Sequence, residues 1–445
     1  MAGGRNVHNP APHQPGDCRP TIATMTELPG FNVIGHLRAA SGLGNTARLF
    51  IDVLKARGHP VAGMDVDDYE NPDLAVSLDG LELVPADRLP FENSLVIVAM
   101  GRLPHLWIKS GAALLGEAKR IVGLLFWELQ VIPRAWLPSL RLFDVALTCS
   151  HWVRQAFETA IPEVPTVYAE HPLRRHSPPS DRRETRAAFG IPLDAVAFCC
   201  SFDPRSGFAR KNTDGTVKAW RAAFPSTPDA SLVVKMNGSA GADDPEYLKM
   251  VAEVQRDPRI IVVQERLAHE RVMQLFGCCD IFVSLHRSEG LGLVPMEAMS
   301  LGKLVIATGY SGNVTFMTEQ NSLSVPYRLV EPAGDVPFFL PRFAGRNAAW
   351  AEPDLGAASD LMRRSAQDSE LRRRLGERAA SDIRARQEIA WAGHSFDQVA
   401  SLLAHSTRAR LRTSLRRQVI LQELVDPTLR SLNVSKVLSR WMPWR

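Results

Sequence analysis

The sequence predicts an α/β protein in which two domains, each with a parallel sheet flanked by helices, face each other. Two observations carry this prediction. Apolar runs of strand length alternate with amphipathic helical stretches, which is typical of parallel sheets. The alternation occurs twice, before and after a break at residues 171–181 that contains three prolines and several charges. At 445 residues, the chain is long enough for two such domains.

The predicted first domain covers residues 30–175 and follows a segment, residues 1–29, that is expected to be disordered. A helix is expected at residues 46–57, because its apolar residues recur at helical spacing and Gly58 provides a stop. Strands are expected at residues 31–36, 59–64, 94–100, 120–126 and 143–148.

The predicted second domain covers residues 182–386. It is followed by a helix at 387–405 that returns to the first domain, and by a basic tail at 406–445. Strands are expected at residues 195–202, 231–236, 259–263, 280–285, 303–307 and 322–325. Ligands of parallel sheets bind at the carboxyl ends of the strands, so a site is expected in the cleft between the domains.

The composition limits the classes of partner. There are 52 basic and 48 acidic residues, and a net charge of +4 is too small to indicate a nucleic-acid partner. Four of the six cysteines form two adjacent pairs, which indicates buried thiols in a reducing compartment rather than a disulfide framework. The sequence has no apolar run of about 20 residues. A cytoplasmic protein is therefore expected.

The strongest functional motif lies at residues 284–302, where a strand leads through a glycine turn into a helix. Glu289 and Glu297 stand eight residues apart in it. Gly290 and Gly292 allow a backbone to approach a ligand closely, and carboxylates accept hydrogen bonds from sugar hydroxyls. Taken alone, a spaced glutamate pair also fits a capped helix with solvated side chains.

Together with residues 303–313 and 321–327, this motif resembles the E-x7-E region of the retaining family-4 (group 1) glycosyltransferases, in particular a bacterial polysaccharide and lipopolysaccharide mannosyltransferase branch. The resemblance implies the GT-B fold, two facing Rossmann-like domains with a C-terminal helix crossing back. It implies that Glu297 binds the donor ribose and that Glu289 contacts the transferred sugar. It also implies donor binding by the residues between them: Gly290, Leu291, Gly292 and Leu293.

A second motif, Arg210-Lys211-Asn212, follows the first strand of the second domain and precedes a helix. Two adjacent cations at a helix N-terminus suit a diphosphate, although a basic pair on a loop is often only solvated. The motif resembles the phosphate site of the same family, with Lys211 as first choice for the β-phosphate and Arg210 as second. Relatives often carry a further arginine nearby, for which Arg205 is the candidate. Lys235 is a further donor-binding candidate, with a surface lysine as the alternative.

Two first-domain motifs are weaker. Gly42 and Gly44 follow the first strand and resemble the family's first-domain loop, which approaches the donor diphosphate; a simple turn is the alternative. Trp127 and Glu128 end a strand at a place where relatives of this branch carry the same dipeptide facing the cleft. They are the acceptor-side candidates, and a core tryptophan is the alternative.

The resemblance implies transfer of a hexose from a nucleotide-diphosphate sugar, of the GDP-mannose or UDP-glucose type, to a saccharide or lipid-linked acceptor. The resemblance also places this reaction in cell-surface polysaccharide synthesis. No metal or other cofactor is expected, because fixed cations stabilise the departing diphosphate. The D-x-D sequence at residues 65–67 follows a first-domain strand and is assigned to the surface.

Other functions remain open at this stage. Nucleotide-sugar epimerases and sugar phosphorylases also have two facing α/β domains, although no lysine motif for a pyridoxal cofactor is found. A catalytically inactive module that binds nucleotide or serves as a scaffold is a further alternative. The arginine-rich tail suits a helix on the inner face of the membrane, or one that packs on the body or on a second subunit.

Overall fold

The structure is a computed structural model. The described residues are 1, 28–66, 76–78, 80–203, 206–226, 229–236, 245–333, 344–407, 415 and 419. Nearly all of the segment 1–29, Arg205, Asp67 and most of the tail 406–445 lie outside them, so the predictions for these parts stay predictions.

The first domain contains a seven-stranded parallel sheet in the order β3-β2-β1-β4-β5-β6-β7. Its strands are β1 Phe31–Gly35, β2 Val61–Asp65, β3 Glu82–Leu83, β4 Asn93–Ile97, β5 Arg120–Leu124, β6 Val145–Thr148 and β7 Thr166–Tyr168. Its helices are α1 Gly42–Ala56, α2 Leu103–Leu115, α3 Leu137–Leu140 and α4 His151–Ala160. The order corresponds to a doubly wound sheet whose central strands are buried on both faces.

The second domain contains a six-stranded parallel sheet in the order β10-β9-β8-β11-β12-β13. Its strands are β8 Val196–Phe202, β9 Ala230–Met236, β10 Ile260–Val263, β11 Ile281–Ser284, β12 Leu304–Thr308 and β13 Leu323–Val325. Its helices are α5 Arg182–Ala188, α6 Phe208–Lys211, α7 Thr213–Ala223, α8 Pro245–Val254, α9 His269–Cys278 and α10 Leu293–Ser300. The predicted pair of parallel sheets is confirmed.

An antiparallel hairpin was not predicted. It consists of β14 at Tyr327–Val330 and β15 at Trp350–Pro353. Its first strand is mostly exposed and lacks the apolar run that marks a central strand. Trp350 in the second strand is buried and packs with first-domain residues in one apolar cluster, so the hairpin helps to join the two domains.

The C-terminal helices are α11 Leu355–Gln367, α12 Ser369–Ala392 and α13 Ser395–Ala404. The predicted start of a returning helix at residue 387 is wrong, because α12 continues through Gln387 to Ala392 and is capped by Gly393. That glycine adopts a left-handed φ of 63°, which only glycine adopts readily at a helix end. The return itself occurs: Phe396 of α13 packs edge-on against Phe31 and Phe50 of the first domain.

The assignment of Asp65 to the surface and the two alternatives for the C-terminal tail can be compared with the structure. Asp65 was assigned to the surface, but its carboxylate is buried and accepts hydrogen bonds from Leu37 N and Arg38 Nε. In the tail, Leu415 and Val419 pack against the first-domain core cluster, which supports the packing alternative at these two positions.

In the described part of the chain, no helix is both long and apolar enough to span a bilayer. The cysteines found buried and free there are Cys149, Cys199, Cys200, Cys278 and Cys279.

Candidate active site

The two sheets meet where β5 and β11 end. Trp127 and Glu128 follow β5, and Gly290 follows β11. A Cβ atom at Gly290 would lie 3.2 Å from the backbone N and O of Trp127. A side chain at this position would be tightly packed, and the group that approaches the glycine is the backbone of the other domain rather than a ligand.

Two hydrogen bonds stabilise this contact between the domains. Ser150 Oγ, at the N-cap of α4, donates to Gly290 O at 2.5 Å. Ser288 Oγ donates to Glu128 O from the other side. The loop that carries Glu289 is thus held by first-domain groups on both of its flanks.

Lys211 and Arg210 lie at the end of the short helix α6 and reach the same loop. Lys211 Nζ lies 2.5 Å from Glu289 Oε1, and Arg210 Nη1 lies 3.3 Å from the same oxygen. Asn212 fixes the turn after α6, since its Nδ2 donates to Leu285 O at 2.8 Å. The structure therefore brings the two predicted cations together with the first glutamate, although 78 residues separate Lys211 from Glu289.

Arg210 and Lys211 differ in how exposed their side chains are. Arg210 is only 3% exposed, and its guanidinium donates to Ser288 O at 2.7 Å and to Ser206 O at 2.8 Å. It also lies 3.8 Å from Glu128 Oε1. The side chain of Lys211 is more exposed, so Lys211 is better able to reach a bound anion, while Arg210 holds the loop in place.

Opposing effects set the charge of Glu289. Burial alone would raise the pKa of this carboxyl, but the charges of Lys211 and Arg210 outweigh burial and hold its pKa at about 2. Glu289 is therefore ionised at neutral pH. The adjacent His286 is buried, and burial lowers its pKa so that it stays neutral. The described contacts of its ring are with Ser284, Tyr310 and Asn313.

Ser311 supports Glu289 and was not among the predicted site residues. Its Oγ accepts the backbone N–H of Glu289 at 2.8 Å. Its φ of 74° is unusual for a residue other than glycine, and such strain, of about 1–3 kcal/mol, concentrates at functional sites. Its neighbour Gly312 allows close packing, because a Cβ there would lie 2.3 Å from Gly290 O. The sequence offered only the Ser-Gly-Asn turn as a signal.

Glu297 lies apart from these cations. It is in α10, only 7% exposed, and burial raises the pKa of its carboxyl to about 8. His269 Nε2 lies 3.7 Å away, and burial lowers the pKa of that imidazole to about 4. Both groups are therefore neutral at pH 7, and their contact is not an ion pair. Before α10, Gly292 has a φ of 89° and Leu291 is buried, while Leu293 is the first helical residue.

Replacing Glu297 with glutamine is expected to stabilise the protein increasingly as pH rises from about 5 to 8. The unfolded carboxyl releases its proton near the usual pKa of 4.5, whereas the folded one holds it up to about pH 8. The folded state therefore binds more protons in this window, and wild-type stability falls as pH rises. A glutamine side chain cannot ionise, so the difference should reach a few kcal/mol, on the order of 1.4 per pKa unit, by pH 8. Thermal unfolding across this pH range measures the stability difference between Glu297→Gln and the wild type, with Glu158→Gln at an exposed position as the control. A stability difference that does not change with pH would contradict the prediction.

The described contacts of four predicted site residues are not with the charged cluster of Arg210, Lys211 and Glu289. Lys235 is fully buried, and its Nζ donates to Met236 O at 2.7 Å and to Glu265 O at 3.0 Å, so the surface alternative is wrong and the ammonium does not face an open cleft. Trp127 is also buried, with its indole N–H donating to Val131 O, which agrees with the core alternative and not with a side chain facing an acceptor.

The other two are in the glycine loop of the first domain, which starts α1. Ser41 Oγ caps this helix by accepting the backbone N–H of Gly44 at 3.2 Å. A Cβ at Gly44 would lie 2.2 Å from Ala39 O, whereas one at Gly42 would meet nothing within 4 Å. Gly44 is thus required by the packing of its own loop, and the described contacts do not connect it or Gly42 with Glu289.

Residues 206–327 match the family described as glycosyl transferases group 1. This match includes the two cations of α6 and both glutamates, so the predicted resemblance to group 1 glycosyltransferases is confirmed over this part of the chain. The chain is also 31% identical over 170 residues to the lipopolysaccharide core biosynthesis mannosyltransferase LpsB of Rhizobium meliloti (strain 1021). That match covers 37% of this chain and 47% of the relative, about half of its length.

Solved structures confirm the GT-B fold. HepE of Anabaena, in complex with UDP and glucose, superposes with a TM-score of 0.62 at 14% identity and covers 84% of this chain and 100% of its own. Sucrose-phosphate synthase of Thermosynechococcus elongatus gives a TM-score of 0.61 at 17% identity, with coverages of 85% and 100%. At these identities the likeness concerns the fold alone.

Proposed function

We propose that this protein is a retaining glycosyltransferase that moves a hexose from a nucleotide-diphosphate sugar to a saccharide or lipid-linked acceptor in cell-surface polysaccharide synthesis. The observation that carries the proposal is the convergence of Arg210 and Lys211 on the ionised Glu289 where the two sheets meet. These residues lie within the part of the chain that matches group 1 glycosyl transferases.

In this proposal the cations act on the leaving group. Breaking the bond between the anomeric carbon and the diphosphate places negative charge on the departing phosphate. Lys211, held near Glu289 and partly exposed, would lie beside this charge as it develops. Arg210 adds positive potential from a fixed, buried position. We propose no metal cofactor, because these two side chains supply the charge.

The two glutamates would hold different parts of the donor. Glu289, ionised at neutral pH, can accept hydrogen bonds from hydroxyls of the transferred hexose. Glu297, buried in α10 with a raised pKa, would bind the ribose hydroxyls, since the carbonyl oxygen of the protonated carboxyl accepts a hydrogen bond and its hydroxyl donates one. Lys211 would share its contact with Glu289 once the diphosphate is bound.

For the chemical step we propose attack on the face that the leaving group vacates. The acceptor hydroxyl oxygen forms a bond to the anomeric carbon as the bond to the diphosphate oxygen breaks. The hydroxyl proton passes to the departing phosphate oxygen, so that atoms and charge balance without a protein nucleophile. This arrangement gives retention of configuration.

The mannosyltransferase named among the relatives favours GDP-mannose as the donor. UDP-glucose is the second choice, because the structurally similar HepE was solved with UDP and glucose. Thermal unfolding with a panel of nucleotide sugars tests this choice, since a bound donor stabilises the folded state by mass action. We expect one donor to raise the unfolding temperature and to release its nucleoside diphosphate slowly without acceptor. Binding without release would indicate an inactive module, and an isomerised nucleotide sugar would indicate an epimerase.

A further inference from the structure

A cavity of about 310 Å³ lies between the two domains, and one of its lining residues, Tyr310, directly precedes Ser311, which contacts the backbone of Glu289. Side chains of both domains form its walls, among them Gln130, Trp152, Gln155, Thr159, Tyr310 and Leu329. Its volume falls at the lower end of the range for small-molecule sites. It has no role in the transfer steps described above.

The chemistry of the cavity suits a neutral ligand that is rich in hydroxyls. The side chains named above are uncharged, whereas a phosphate or a nucleotide is bound mainly through cations. The rings of Trp152 and Tyr310 lie 4.9 Å apart at 65°, so they present an angled aromatic wall. Aromatic faces with a few placed amide and hydroxyl groups are the usual lining of a small-molecule site, and they match the apolar faces and polar edges of a sugar ring.

Two polar atoms of the lining side chains lack hydrogen-bond partners among the described residues. Gln130 Nε2 donates to Asn347 O at 3.0 Å, but the Oε1 of the same amide is buried without a donor. The indole Nε1 of Trp152 is buried without an acceptor. Buried polar atoms are normally paired, so this acceptor and this donor are suited to ligand hydroxyls, which both give and accept hydrogen bonds. Both atoms are covered in this structure, so a ligand reaches them only if these side chains rotate.

The cavity begins beside the candidate active site. Ser150, the N-cap of α4, donates to Gly290 O, and Trp152 follows two residues later. Thr159, nine residues after Ser150, lies about 13 Å along the helix axis. On the other wall, Tyr310 directly precedes Ser311, which holds the backbone of Glu289. A ligand in the cavity would therefore extend away from the reacting atoms.

We infer that this cavity is a subsite for a neutral saccharide unit of the acceptor, remote from the hydroxyl that receives the hexose. The inference rests on the proposed transferase function, because it takes the ligand to be part of the acceptor. It implies that an oligosaccharide long enough to span both places binds more tightly than a monosaccharide.

Saturation-transfer NMR with manno-oligosaccharides, from the monosaccharide to the tetrasaccharide, tests this subsite. Trp152→Phe removes the indole N–H but keeps an aromatic ring, and Gln130→Ala removes the unpaired acceptor. We expect either change to weaken binding of the longer oligosaccharides about tenfold, as for one lost hydrogen bond. Binding of a nucleoside diphosphate should be unchanged. Arg154→Ala is the control, because Arg154 lies on the same helix but pairs with Glu158 at the surface.

Several results would overturn the subsite. Equal oligosaccharide affinity in the wild type and in both variants would do so, as would no detectable binding by the wild type at millimolar concentration. Binding to phospholipid vesicles that is lost in the variants would assign the cavity to a lipid instead. Donor cleavage, measured separately, distinguishes this failure from failure of the proposed function. Oligosaccharide binding without donor cleavage would show a saccharide site in this cavity but would overturn the transferase function, and with it the assignment of the site to an acceptor.

Discussion

Replacing Lys211 with alanine is expected to slow cleavage of the sugar donor by about two to three orders of magnitude, the usual effect of removing one group that stabilises a developing anion. Lys211 is the more exposed of the two cations at Glu289, and its Nζ lies 2.5 Å from that carboxylate. Without it, the departing diphosphate would meet the charge of Glu289 with only Arg210 to balance it. The release of nucleoside diphosphate, with and without acceptor, measures the effect.

Lys218→Ala is a matched control for this prediction, because Lys218 is exposed on α7 and pairs only with Asp214 among its described ion pairs. It should leave donor cleavage unchanged. Lys211→Arg should retain part of the activity, since it keeps the positive charge but not the geometry. Full activity in Lys211→Ala, with the donor bound as in the wild type, would show that the leaving group departs elsewhere.

Replacing Arg210 with alanine is expected to lower the free energy of unfolding by about 3–5 kcal/mol, the range for breaking one side of a buried charged pair. Its guanidinium is almost completely buried, donates to the backbone oxygens of Ser288 and Ser206, and lies 3.3 Å from Glu289. The change removes this donor from both carbonyl groups and leaves Glu289 with one cation instead of two. Urea unfolding, followed by circular dichroism, measures the loss.

Arg141→Ala provides the comparison, because Arg141 pairs with Glu163 at the surface, where ion pairs contribute little. Lys211→Ala should destabilise the protein less than Arg210→Ala does, since the side chain of Lys211 is more exposed. Equal stabilities of the Arg210 and Arg141 variants would mean that Arg210 does not hold the loop. Arg210 would then be a binding residue alone.

The central strands were predictable, whereas the edge elements were not. Strands such as β8 and β12 are continuous apolar runs because both of their faces are covered, and such runs are visible in the sequence. By contrast, β3 at Glu82–Leu83 has two exposed residues, and β7 at Thr166–Tyr168 has three residues in all. An edge strand is defined by the neighbour with which it pairs, and its own sequence carries little of that information.

The candidate site was also predictable from the sequence only in part. The residue types of Lys211, Glu289 and Glu297 in their local patterns predicted which side chains to examine. The patterns did not predict that Glu289 would be held ionised by two cations while Glu297, eight residues later, would be buried beside a neutral His269. The pKa of a carboxyl depends on charges and burial supplied by distant segments, so identical residues in one motif acquire opposite states.

By itself, the sequence determined the two parallel sheets and the local motifs at their strand ends, because hydrophobic periodicity and short-range turn chemistry are properties of neighbouring residues. Only the tertiary structure decided that Gly290 packs against the backbone of Trp127, that buried Lys235 donates to two carbonyl oxygens, and that uncharged side chains of both domains line one cavity. These features depend on how one domain meets the other. The contacts involved join residues far apart in the chain, and no local pattern records them.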